Sequence, residues 1–174
     1  MVVLLVIDMQ VGLFKGHPPR HDADGVIQRI NAVARAVRAA SGMVVFVQHD
    51  DPPGGSLEPG TEGWKILPAL ERVDKDPLVR KQACDAFYET ELSGILERHG
   101  AQQLIITGCA TDFCVDTTVR AAASRDYEVV VVADPHLDAV SIIKHHNWMW
   151  KNLILVQSRV KVHPAERVVS RALV

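Results

Sequence analysis

The sequence predicts an α/β protein, doubly wound and three-layered (α/β/α) around a mostly parallel central sheet, on three observations. Short continuous apolar runs rich in β-branched residues recur along the 174 residues; stretches with apolar residues at helical spacing separate them; and no Pro/Ser-rich tract, block of like charge or internal repeat marks a linker. Runs apolar on both sides of the pleat belong to strands covered on both faces. Parallel neighbours need crossover connections, which are right-handed almost without exception, so helices cover both faces of the sheet.

The elements follow in order. "VVLLVID" (2–8) is the first buried strand. In "DGVIQRINAVARAVRAA" (24–40), Val26, Ile30, Val33 and Val37 fall on one helical face, Asp22 or Asp24 is a candidate cap, and the helix should stop before Gly42. "MVVFVQH" (43–49) is the second strand. A Pro/Gly-rich loop (51–63) and a short apolar segment (64–70) lead to a weaker strand, "PLVRK" (77–81), and a helix near 88–99. "QLIITG" (103–108), a helix over 112–124, "YEVVVVAD" (127–134), a helix near 138–150 and the strand "NLILVQ" (152–157) complete the pattern.

With 48% apolar residues and a net charge of −2, the chain reads as one domain over 1–174 with a full core. Its apolar runs are too short to span a bilayer. "MVVLLVIDMQ" has no basic leader and runs into an acid, as a strand does and a signal peptide does not, so the expected location is cytoplasmic. Without a basic stripe there is no electrostatic reason for a nucleic-acid or anionic membrane partner. Three cysteines, an odd number, argue against a disulfide framework.

Ligands of open parallel sheets bind at the carboxyl ends of the strands. Three reactive residues fall there: Asp8 closes the first strand, Lys81 closes "PLVRK", and Cys114 follows "QLIITG". At the start of a helix, free amides and the helix dipole favour an anion, which would lower the thiol pKa from about 8.5 to roughly 3.5–7.5 with a cation nearby. The same amides offer an oxyanion hole, Asp8 could shuttle the proton, and Lys81 could stabilise charge. Singly, each has a plainer reading. Asp8 would serve as a cap, Lys81 as a surface ion-pair partner and Cys84 as an inert thiol, and Cys109 is a core residue before it is a redox partner of Cys114.

"VIDMQ" (6–10), the lysine at 81 and "TGCATDFCVDTTVRAA" (107–122) together resemble the isochorismatase-like cysteine hydrolase superfamily, which includes nicotinamidases and N-carbamoylsarcosine amidases. The likeness covers nearly the whole chain, and its most specific piece is G-x-x-T-x-x-C-V. It implies a catalytic set of Asp8, Lys81 and Cys114, a cis peptide between Cys109 and Ala110, and an oxyanion hole made by the amides of Ala110 and Cys114. True isochorismatases lack this cysteine, so the resemblance implies hydrolysis of an amide or carbamoyl C–N bond in a small molecule through a thioester. It also implies a homo-oligomer, dimer or tetramer; His145, His146, Trp148 and Trp150 on the predicted helix read as packing or subunit-contact residues.

Nicotinamidases hold a divalent ion with an Asp-x-His pair and a further histidine. "VQHDDPPGGSLEPGTEGWKI" supplies His49, Asp50 and Asp51 but no later histidine before His99, so neither metal nor other cofactor is expected. His49, Phe14, Trp64 and Phe113 are candidates for the pocket wall, each with the alternative of plain packing. The connection at 134–138 is shorter than in these relatives. The rival reading to an enzyme is a non-catalytic docking or thiol-sensor domain on the same fold.

Overall fold

The computed structural model describes residues 1–15, 22–132 and 159–172. Its strands are β1 (Val2–Ile7), β2 (Met43–His49), β3 (Leu78–Lys81), β4 (Gln103–Gly108), β5 (Glu128–Val132) and β6 (Val160–His163). They form one sheet in the order β3-β2-β1-β4-β5-β6, and every pairing is parallel. The chain builds outward from β1 to one edge, returns, and continues from β4 to the other. Strand order therefore reverses between β1 and β4, the place where such sheets open a crevice.

Alternation along β1 divides the core in two. Val3, Leu5 and Ile7 pack with α2 (Leu92–Arg98) and α3 (Asp116–Ala123) through Leu92, Leu96, Val119 and Ala122. Leu4 and Val6 face the opposite layer, α1 (Ala23–Ala39) and α4 (Ala165–Ala172), through Val26, Ile30, Val33, Val37, Ala165 and Val168. A strand with large apolar side chains on both faces is stable only where both are covered, and burying each such side chain is worth about 1.5–3 kcal/mol. That fixes β1 at the centre and its C-terminal end at the crevice.

Three details depart from the sequence reading. Asp22 occupies the N-cap position of α1, but with a left-handed φ of 49° it makes no capping hydrogen bond; its carboxylate instead meets Arg29 at 2.9 Å. The expected helix over 112–124 is two pieces, a π-helical turn over Thr111–Val115 and then α3. β6 and α4 were not anticipated: "VKVH" is only four residues of mixed polarity, too little for a period-2 pattern to declare itself. The expected helix 138–150, the strand 152–157 and the short 134–138 connection lie outside the described residues, as do His145, His146, Trp148 and Trp150. Among the described residues no helix is long and apolar enough to cross a membrane.

Gly108 ends β4 opposite Ile7, with φ of 133°, and a Cβ built there would lie 2.0 Å from the carbonyl oxygen of Ile7. Only glycine lets β4 lie this close to β1 where both strands deliver their site residues. Gly108→Ala is expected to cost about 2–4 kcal/mol through overpacking and backbone strain. Urea denaturation measures this, and a change within about 0.5 kcal/mol would contradict the close-packed account.

Candidate active site

Each site residue is placed by a strand end. Beyond Ile7 the chain turns at Asp8, whose φ of 50° is a left-handed conformation that aspartate tolerates better than most residues; its amide donates to Val47 O at 2.9 Å. β3 pairs with β2 so that Lys81 sits opposite His49. After Gly108 comes a cis peptide between Cys109 and Ala110, then the π turn, closed by the Val115 amide donating to Ala110 O at 3.3 Å. Cys114 rides on that turn. Single π turns of this kind insert an extra residue and re-aim a side chain, and they recur at functional sites.

The three sequence candidates meet at one point, the ammonium of Lys81. Its Nζ lies 2.8 Å from Asp8 Oδ2 and 3.2 Å from Cys114 Sγ. It also donates to the carbonyl of Ala83 at 2.9 Å and stands 3.2 Å from His49 Nδ1. The side chains of Lys81 and Asp8 are 0% and 3% exposed. A lysine and a carboxylate rarely reach such depth unless each compensates the other. Asp8 Oδ1, also buried, has no hydrogen-bond partner among the described residues.

The electrostatics overturn one expectation. Helix-start reasoning assigns Cys114 a depressed pKa. Burial instead pushes its thiol up, the negative charge of Asp8 pushes it further, and Lys81 only partly opposes them. The Asp8 carboxyl is raised above its ordinary value as well, again by burial first, with Lys81 the main influence pulling it down. The physical reason is that two acids share one cation, so ionising both would leave a net negative charge in a largely buried site. Cys114 rides on the π turn that runs directly into α3, and burial with the Asp8 charge outweighs what that position offers an anion. At rest the proton therefore sits on sulfur and Asp8 pairs with Lys81.

Of the remaining candidates, His49 joins the cluster through Lys81. The carbonyl of Ala110 accepts from Phe113 and Val115, the residues on either side of Cys114. Phe113 is 63% exposed. Phe14 is partly buried against the α1 layer. Trp64 is held by donating Nε1 to Asp50 Oδ1 at 2.7 Å, with the guanidinium of Arg80 5.2 Å above its ring. Cys109 belongs to the α1-side core, whereas Cys114 packs against the other, so the sheet separates them, and no disulfide joins any of the three cysteines.

The sequence reading missed Gln10 and the carbonyl of Ala83, and weighed Asp51 only as a metal ligand. Gln10 is fully buried; it donates to the carbonyls of His49 and Trp64 and accepts the amide of His49 at 2.8 Å, clamping the end of β2. Its signal was a long polar side chain just past a buried strand, inside "VIDMQ". Among the described residues no group of His, Cys, Asp and Glu is arranged to hold a metal ion.

Residues 2–160 match the isochorismatase domain model. A streptothricin hydrolase of Streptomyces noursei is 34% identical over 133 residues, covering 76% of this chain and 53% of that protein. The ureidoacrylate amidohydrolase RutB of Methylorubrum extorquens is 30% identical over 138 residues, covering 63% and 56%. The chain thus spans about half the length of these curated relatives. The crystal structure of N-carbamoylsarcosine amidase from Thermoplasma acidophilum superposes with a TM-score of 0.79 at 25% identity, covering 94% of this chain and 96% of that one.

Proposed function

Because this chain belongs to the isochorismatase family, we propose that it hydrolyses an amide or carbamoyl-type C–N bond of a small molecule, with Cys114 as nucleophile. The observation that carries the reading is the buried Asp8–Lys81–Cys114 cluster, whose ammonium lies within 3.2 Å of the sulfur and 2.8 Å of the carboxylate. The names of the relatives agree with it, since two of those above are an amidohydrolase and an amidase.

The reaction runs in two halves. Asp8 takes the S–H proton as sulfur bonds to the carbonyl carbon; the resulting oxyanion is met by the amides of Ala110 and Cys114. When the C–N bond breaks, Asp8 returns that proton to the departing nitrogen, leaving a thioester on Cys114. Water then gives a proton to Asp8 and its oxygen to the carbonyl carbon. The C–S bond breaks, sulfur recovers the proton, and the acid leaves. Lys81 keeps one positive charge beside whichever of the two acids is ionised.

An ammonia- and amine-release screen over small amides and carbamoyl compounds tests the proposal. At least one should turn over in the intact protein and none in Cys114→Ala; a folded protein inert to the whole set would favour the docking or sensor reading. For a substrate that turns over, kcat/KM is expected to fall on acidification in a step above the ordinary carboxylate range, because Asp8 must be unprotonated to accept the thiol proton and its pKa is raised. An acid limb at or below that range would count against Asp8 as the base.

A further inference from the structure

The ammonium of Lys81 has three N–H groups and four acceptors around it: Asp8 Oδ2 at 2.8 Å, Ala83 O at 2.9 Å, His49 Nδ1 at 3.2 Å and Cys114 Sγ at 3.2 Å. A protonated thiol is the poorest of these acceptors. At rest the three hydrogens therefore go to Asp8, Ala83 and His49. With Cε held covalently, the three acceptors fill all three N–H positions and define the orientation of the ammonium about its Cε–Nζ bond.

The histidine is itself set for this task. An ammonium only donates, so Nδ1 must present its lone pair and the proton of the neutral ring lies on Nε2. There Asp51 Oδ1 stands 3.3 Å away. Asp51 is fixed in turn, since its Oδ2 accepts the Leu57 amide at 2.9 Å and its own amide donates to Leu57 O at 3.1 Å. Gln10 clamps the backbone of His49 on both its amide and its carbonyl.

The geometry points to His49, oriented by Asp51, as a positioning residue that aims the Lys81 ammonium at the sulfur of Cys114. The inference rests on the proposed cysteine hydrolase reading. During the reaction the hydrogen held by Nδ1 is the one able to swing to the developing thiolate, because Asp8 and Ala83 hold the other two. His49 takes no proton and touches no substrate; it keeps the nitrogen within reach of the sulfur.

Two amides separate this role from a merely structural one. In His49→Asn the side-chain oxygen falls near the position of Nδ1, so the acceptor for Lys81 survives; in His49→Gln the longer side chain reaches the Nε2 position and keeps only the Asp51 contact. The rate of Cys114 alkylation by iodoacetamide at neutral pH, read by mass spectrometry, needs no substrate; kcat and KM are then measured on an amide from the screen. His49→Ala and His49→Gln are expected to slow alkylation and kcat about tenfold with KM within about twofold, while His49→Asn stays within about threefold of the parent. Any other ordering overturns the inference, above all Gln restoring what Asn does not, which would mark a loop contact. Failure of the hydrolase reading looks different: either no amide of the screen turns over or Cys114→Ala retains turnover, while the alkylation rates of the His49 variants still decide the positioning role.

Discussion

Cys114→Ser is expected to reduce turnover by at least about 10³-fold while leaving the fold intact. A serine hydroxyl is far less acidic than a thiol, and its only base is the carboxylate of Asp8, itself paired with Lys81 at 2.8 Å. Such a base can take a thiol proton in concert with attack but is too weak to draw one from an alcohol. Nothing else in the cluster compensates, because Lys81 donates and His49 offers its lone pair to Lys81. The substitution removes little packing, since Cys114 is only partly buried at the edge of the α2/α3 core. The check is kcat on a screened amide beside a urea melt. Retention of more than about a tenth of the rate in the serine variant would show that sulfur is not the nucleophile.

Lys81→Met is expected to damage both stability and activity. It removes one member of a buried ion pair and leaves Asp8 charged without a partner, which costs about 3–5 kcal/mol at neutral pH. The pH dependence has a definite sign. Asp8 already has a raised folded pKa, and without Lys81, the main influence lowering it, the value rises further. A carboxyl raised in the folded state favours folding while protonated, and that contribution is lost as pH rises through its folded pKa. The variant should therefore fall furthest behind the parent at neutral pH and recover part of the difference on acidification. Activity should be lost at every pH, since nothing then balances either ionised acid. Denaturation at acidic and neutral pH measures the first effect; equal stability of the two proteins at neutral pH would mean that the pair contributes nothing net.

The fold was legible because its signal is repetitive. Apolar runs around Val3–Ile7, Val44–Val47 and Leu104–Ile106 are short and rich in β-branched residues, which marks covered strands, and the order of crossovers then confines the site to their C-terminal ends. Strand ends singled out Asp8, Lys81 and Cys114 as reactive residues, and the family resemblance carried by "VIDMQ" and "TGCATDFCVDTTVRAA" joined them into a set. The electrostatics were not legible. Helix-start reasoning treats Cys114 alone with its nearest amides, whereas its protonation is governed by burial and by Asp8, which arrives from another strand 106 positions earlier in the sequence. The π turn escaped because an extra residue in a helical stretch leaves the apolar spacing of Val115, Val119 and Ala122 unchanged. His49 was legible as a strand end and pocket-wall candidate and Asp51 as an acid just beyond it; their use depends on the β2–β3 register, which sets His49 opposite Lys81 and which no local pattern encodes.

The account turns on Asp8 and Cys114 sharing one cation and one proton. Cys114 alkylation as a function of pH, in the parent protein and in Asp8→Asn, tests this directly. Removing the Asp8 charge deletes an influence that raises the thiol and leaves Lys81 beside the sulfur, so the alkylation midpoint should move down by at least about one pH unit. Alkylation near neutrality then becomes faster even as turnover is lost with the base. A midpoint that stays where it was, or moves up, would mean that the thiol is set by its own turn and that the carboxylate plays no part in its chemistry.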